Sequence, residues 1–139
     1  MKSLKFTEER NKRVKEKISE IYKLSWDTIK SKSRKRKVVD ARRLYCVVMR
    51  NIFQLPLDTI GKLVNTHHAS VIHAVKKHEI YTEIYDGYDN EYQEIKRSLL
   101  DETTLTYFLD ELNHLQKNKA KIESQINQLL LTKNFNENE

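Results

Sequence analysis

The fold class this sequence predicts is all-α, and three observations predict it. Apolar residues recur at spacings of three and four along most of the chain. Two glycines and one proline leave little material for the tight turns of a β-fold. Charged residues make up 33% of the chain against 38% hydrophobic, a balance suited to helices around a small core. At 139 residues the chain is long enough for one domain, or for one domain with an appendage.

Each element has local signals. Residues 1–9 are short and polar and are expected to fray. From Arg10 to Leu24, Val14, Ile18, Ile21 and Tyr22 fall at helical spacing among charges, which predicts a first amphipathic helix. Ser25 can cap a short second helix, with Asp27 in the first turn where negative charge is favoured and Trp26 and Ile29 packed inward. Residues 31–37, Ser-Lys-Ser-Arg-Lys-Arg-Lys, contain nothing apolar and read as an exposed basic loop. Val38, Ala41, Tyr45, Val48 and Ile52 then make the stripe of a third helix, and Pro56 separates it from the next helical pattern.

Two short helical patterns then meet at a tight corner. Ile60, Leu63, Val64, Val71, Ile72 and Val75 would line the inside of a helix-turn-helix, leaving His67, His68, Ala69, Ser70 and His73 at the outward N-terminal end of its second helix. That end is the part of such a motif that enters a DNA major groove. Beyond Lys77 the helical period continues through Ile80, Ile84, Tyr88, Tyr92, Ile95 and Leu99, with Asp86-Gly87 as an interruption.

The final pattern is a heptad. Leu105, Phe108, Leu112, Leu115, Lys119, Ile122, Ile126 and Leu129 alternate spacings of three and four, and only Lys119 breaks the apolar seam. Residues 104–131 would span about 42 Å as one helix, too long to bury against so small a core. A coiled-coil dimer, a protein partner and a hairpin folded back on residues 81–100 all satisfy the pattern. The expected division is therefore residues 1–80 as a helix-turn-helix domain, 81–131 as an acidic helical arm for dimerisation or partner binding, and 132–139 as a disordered tail.

Charge divides along the same line. Residues 1–80 hold 20 Lys and Arg against 8 Asp and Glu, whereas residues 81–139 hold 6 against 12. A basic half points to a polyanion, met through phosphate contacts and counterion release. The single cysteine, Cys46, makes no internal disulfide and sits in an apolar run, as expected of a small buried hydrophobe in a reducing compartment. No run approaches the roughly 20 apolar residues needed to cross a bilayer, and no signal peptide is visible. A cytoplasmic protein is expected, nucleoid-associated in a cell or in the host cytoplasm if viral.

The resemblance to a known family rests on several residues in order. Ser31-Lys32-Ser33-Arg34 precedes a helix, Ala41-Arg42-Arg43 lies near that helix's start, and Leu57 is followed by Ile60-Gly61. Above all, the chain reads His68-Ala69-Ser70-Val71-Ile72-His73-Ala74. Residues 14–77 resemble the C-terminal DNA-binding domain of the bacterial replication initiator DnaA, a Trp-repressor-like helix-turn-helix whose signature is Asp-His-Thr-Thr-Val-Leu-His-Ala. The resemblance implies that Arg34 enters a minor groove beside the major-groove site, and that Arg42 contacts DNA at the head of its helix. Arg43 stands where the family often has glutamine. His68 and Ser70 would face base edges or phosphates, with His73 near the backbone. Lys35 and Arg36 belong to the same basic loop, and Lys62, Lys76 and Lys77 are expected as phosphate contacts from their charge and position.

Three departures bear on specificity. The signature's Asp is His67, so an acceptor suited to cytosine is replaced by a group able to donate. The first signature Thr is Ala69, which keeps a methyl for thymine and loses the hydroxyl. The turn before the signature is one residue shorter and lacks glycines, so the preferred sequence need not be the family's nine-base-pair box. DnaA also carries an AAA+ ATPase ahead of this domain. No Gly-x-x-x-x-Gly-Lys-Ser/Thr phosphate loop occurs here, so no nucleotide is expected as a ligand, nor ATP-driven origin melting by this chain alone.

Other chemistry finds little support. The pair His67-His68 is followed by His73 and His78 at steps of five from His68 rather than at the three- or four-residue spacing of ligands on one helical face, so no metal is expected. No nucleophile, base and orienting group assemble in the sequence. Neither an enzyme nor a cofactor is expected. The chain is expected to bind double-stranded DNA sequence-specifically, in control of replication initiation of a phage, mobile element or bacterium. The alternatives are a dimeric helix-turn-helix transcription regulator, or a DNA-tethered adaptor recruiting a partner through residues 104–131.

Overall fold

The computed structural model describes residues 4–137 and, among them, contains six α-helices and no strand. The first, α1 (Glu8–Tyr22), begins where the Arg10 N–H donates to the Thr7 hydroxyl at 3.1 Å, with Glu8 and Glu9 favoured against the helix dipole. It ends at Lys23, whose left-handed backbone (φ 53°) lets the next amides return to the Ser19 carbonyl. Helix α2 (Trp26–Ile29) is capped by Ser25, which accepts from the Thr28 amide at 3.2 Å.

The central element is α3 (Arg36–Asn51), which buries Val38, Ala41 and every residue from Leu44 to Met49. Its stripe meets Val14 and Ile18 of α1, Ile29 of α2, and Ile60, Val64 and Val71 from the later helices in one core. Burial of this many aliphatic side chains, at about 25 cal/mol per Å² of apolar surface, is the main force holding the bundle together. Tyr45 is fully buried in this core, and its hydroxyl donates to the Asn11 side-chain oxygen at 2.8 Å, which satisfies both polar groups.

Helices α4 (Leu57–Leu63) and α5 (His68–Ile84) form the helix-turn-helix. Pro56 precedes α4, where its missing N–H costs nothing. Helix α5 runs past Lys77 to Ile84, and the chain then breaks at the position the Asp86-Gly87 pair marks, with Gly87 at φ +80°. Helix α6 (Asn90–Glu137) comes last.

Several expectations are corrected. Residues 4–9 do not fray: the Leu4 N–H donates to the Ile52 carbonyl at 3.1 Å, and Phe6 meets Phe53 edge-on at 5.7 Å between ring centroids. Two apolar side chains with a place in the core outweigh the polar composition around them. Residues 1–3 lie outside the described residues. The unit boundary also moves. One compact unit is Met1–Leu99 and a second is Leu100–Glu139, because Tyr92, Ile95 and Leu99 are buried in the core that the first 80 residues begin.

In the second unit, residues 132–137 continue α6 where a disordered tail was expected, and residues 138–139 lie outside the described residues. No glycine or proline interrupts this stretch, so nothing in its composition stops the backbone hydrogen-bond ladder. The apolar seam of residues 105–129 is exposed, from 49% at Ile126 to 70% at Leu129.

Candidate nucleic-acid interface

The corner between α4 and α5 depends on close backbone approach. The Thr66 N–H donates to the Gly61 carbonyl at 2.8 Å, and a Cβ added to Gly61 would lie 2.6 Å from the Thr66 oxygen. Only glycine fits there. The turn itself lacks glycine and reverses instead at Asn65, which takes the left-handed region at φ 56°. Asparagine tolerates that conformation better than other residues with side chains.

Helix α5 begins at His67, whose extended backbone and side chain form the cap. The Ala69 N–H donates to His67 Nδ1 at 3.2 Å. The neighbouring His68 ring stacks on it at 4.2 Å between centroids, and His68 Nδ1 lies 3.3 Å from a carboxylate oxygen of Asp58 in α4. Both imidazoles are exposed to solvent.

The basic loop, residues 31–35, lies across from this helix end, held by Arg42. The Arg42 Nε–H donates to the Ile29 carbonyl at 3.0 Å, and Nη2 donates to the carbonyls of Ser31 and Ser33. Burial lowers the pKa of this guanidinium from its ordinary value, though arginine stays charged at any physiological pH. Between loop and helix runs an open groove of about 680 Å³, lined by Arg34, Arg42, Lys62, Thr66, His67 and Ser70 among others. A second hollow of about 380 Å³ continues it between α3 and α5, along Arg42, Ala69, Ser70 and His73. Cationic side chains, a helix N-terminus and small polar residues thus share one concave face. Such a face can hold an anionic backbone while offering donors and acceptors to whatever lies in the groove.

The expected site residues divide accordingly. Arg34, Arg42, Arg43, Lys62, His67, Ala69, Ser70 and His73 come together along the two hollows. Lys35 and Arg36 are exposed where the loop enters α3, and His68 is exposed beside Asp58. Lys77 is half-buried on α5.

Arg43 and Lys76 have additional or separate surroundings. Lys76 lines a separate hollow with Arg50, Leu57, Ile72, Val75 and Glu79. Arg43 lines the second hollow beside Arg42, but its side chain is only 11% exposed. Its Nη1 donates to Asp40 at 3.2 Å and to the Tyr88 hydroxyl at 2.9 Å, and its guanidinium lies 5.4 Å over the Tyr81 ring. Arg43 thereby also ties α3 to the turn after α5. Lys32, Asn65 and Thr66 are among the further residues that line the larger groove without having been expected there. Lys32 was legible as part of the basic run, while Asn65 and Thr66 carried no charge to mark them.

Among the described residues no group of three His, Cys, Asp or Glu side chains is placed to hold a metal ion, and no helix is long and apolar enough to cross a membrane. Comparison with known proteins agrees with the geometry. Residues 11–77 match the family model of the bacterial DnaA protein helix-turn-helix. The chain is also 35% identical over 79 residues to the chromosomal replication initiator protein DnaA of Bacteroides thetaiotaomicron, an alignment covering 56% of this chain and 17% of that relative's length.

Proposed function

Taking residues 11–77 as a helix-turn-helix segment of the bacterial DnaA type, we propose that this protein binds double-stranded DNA sequence-specifically and acts in the control of replication initiation. The observation that carries the reading is the single groove uniting Arg34 of the basic loop with His67 and Ser70 of α5. In this reading the N-terminal turn of α5 enters a major groove and Arg34 enters the adjacent minor groove. Arg42 keeps the loop at its place from behind, and Lys35, Arg36, Lys62 and Lys77 supply phosphate contacts. The relative's own name, chromosomal replication initiator protein, supports the biological setting, which is wherever the DNA is: the nucleoid, or a host cytoplasm for a viral chain.

Selection from a random duplex library at near-physiological salt tests this. An enriched motif is expected, and Arg34→Ala or His68→Ala is expected to weaken the best site by roughly 1–3 kcal/mol per lost base contact. A flat library, with no enrichment, would overturn the reading.

The exposed seam from Leu105 to Leu129 favours a second element of the proposal, self-association or a protein partner through residues 104–131. Seven large apolar side chains on one heptad stripe are the pattern of a helix made to pair. Sedimentation of the full-length protein measures it: a dimer that becomes a monomer on Leu112→Ser with Ile122→Ser is a self-pairing arm, as in a dimeric transcription regulator. A wild-type monomer whose arm retains a protein from lysate is an adaptor.

A further inference from the structure

We propose that His67 meets DNA only as a hydrogen-bond donor, and that it therefore rejects cytosine at the position it faces. The inference rests on the DNA-binding reading above and names a specificity determinant within it.

The proton on His67 is placed by the helix cap. Its Nδ1 accepts the Ala69 N–H at 3.2 Å, with the residue in the extended conformation usual for a cap (φ −79°, ψ 150°). A ring nitrogen that accepts carries no proton, so the neutral imidazole carries it on Nε2. The cap thus disfavours the other tautomer. What the exposed side chain presents outward is an Nε2–H.

The neighbouring His68 ring stacks on His67 at 4.2 Å between centroids, with its Nδ1 3.3 Å from the Asp58 carboxylate, so a second imidazole stands beside the cap at the start of α5.

Major-groove edges sort cleanly against a fixed donor. Guanine offers O6 and N7, thymine O4 and adenine N7, all acceptors, whereas cytosine presents only its N4 donor. A carboxylate at the same cap would accept only and so suits cytosine. An Nε2–H set against the cytosine amino group leaves two donors facing each other with neither satisfied.

Two measurements on the full-length chain decide the matter. Long-range nitrogen–proton NMR correlations of the His67 ring report the tautomer without DNA; an unprotonated Nδ1 is expected, and a protonated Nδ1 at neutral pH would sink the idea. Random-library selection is then run in parallel for wild type, His67→Asp and His67→Asn, both replacements being good caps that keep α5 intact. Wild type is expected to exclude cytosine at one position where His67→Asp enriches it, the rest of the motif unchanged. His67→Asn, which can donate and accept, should relax that position. Exchanging the preferred base for cytosine there in the wild-type site should cost roughly tenfold or more in affinity. A sharp wild-type motif that His67→Asp leaves unaltered overturns the role of His67 and leaves DNA binding standing. A wild type that enriches nothing overturns both.

Discussion

The Arg42 guanidinium of α3 donates to the Ser33 carbonyl of the basic loop at 3.2 Å, so the loop that carries Arg34 is pinned from inside the bundle. Nη2 also serves the Ser31 carbonyl, and Nε serves Ile29. Without that side chain the loop keeps only short-range bonds, among them the Ser33 N–H to the Ser31 hydroxyl and the Lys35 N–H to the Ser33 hydroxyl, each at 3.3 Å.

Arg42→Ala is therefore expected to act through the loop. Hydrogen bonds to a charged group contribute roughly 1.5–3 kcal/mol each in favourable cases, so a stability loss of about 2–3 kcal/mol should appear in denaturant unfolding. In binding, Arg34→Ala should cost far less in the Arg42→Ala background than in wild type. Additive losses in that double-mutant cycle would show Arg42 and Arg34 acting independently.

Gly61→Ala should damage the corner without touching any proposed contact. Its methyl would sit 2.6 Å from the Thr66 oxygen, which forces α4 and the start of α5 apart. Overpacking of this kind costs roughly 1–3 kcal/mol. Thermal unfolding and DNA affinity should fall together, and a variant as stable as wild type would contradict the close packing.

Arg43→Ala separates structure from binding. The side chain bridges Asp40, Tyr81 and Tyr88, and its removal leaves Asp40 and the Tyr88 hydroxyl without that donor. A loss of about 1–3 kcal/mol in stability is expected. The slope of log affinity against log salt should stay constant below the melting transition, since each lost phosphate contact lowers it by about 1. A fall of that size would put Arg43 on the DNA.

Alkaline pH should loosen the bundle. Burial pushes the Cys46 thiol up to about 12 from an ordinary 9.0. Burial, then the Glu91 and Asp40 carboxylates, pushes the Tyr22 phenol up to about 12 from 10.0. Between about pH 9 and 12 the unfolded chain has lost protons that the folded chain keeps, so stability falls as pH rises through that window and is untouched by these groups below it. Tyr45 acts in the same direction. Urea midpoints measured from pH 7 upward should show the decline, and Cys46→Ala should make it shallower. An equal decline in that variant would remove Cys46 from the account.

The order of helices was legible because its causes are local. The Ser25 cap, the Pro56 boundary, the Asp86-Gly87 break and the stripe from Val38 to Ile52 all lie within a few residues of what they determine. The groove was legible in outline for the same reason, since the basic run and the first turn of α5 carry their chemistry in consecutive residues.

Adjacent residues with distant partners were not. Arg42 and Arg43 are neighbours of identical charge, yet one ties down the basic loop while the other turns inward to Tyr88, 45 positions along the chain. Leu4 docks on Ile52, and Ile95 and Leu99 complete a core begun at Val14. By itself the sequence determined which segments are helical, where they start and stop, and which of them carries positive charge, because propensity, capping and periodicity act over one or two turns. The tertiary structure alone decided which arginine holds the basic loop, which histidine nitrogen caps α5, and where the first unit ends. Those outcomes depend on partners that only the folded chain brings within hydrogen-bonding or van der Waals reach.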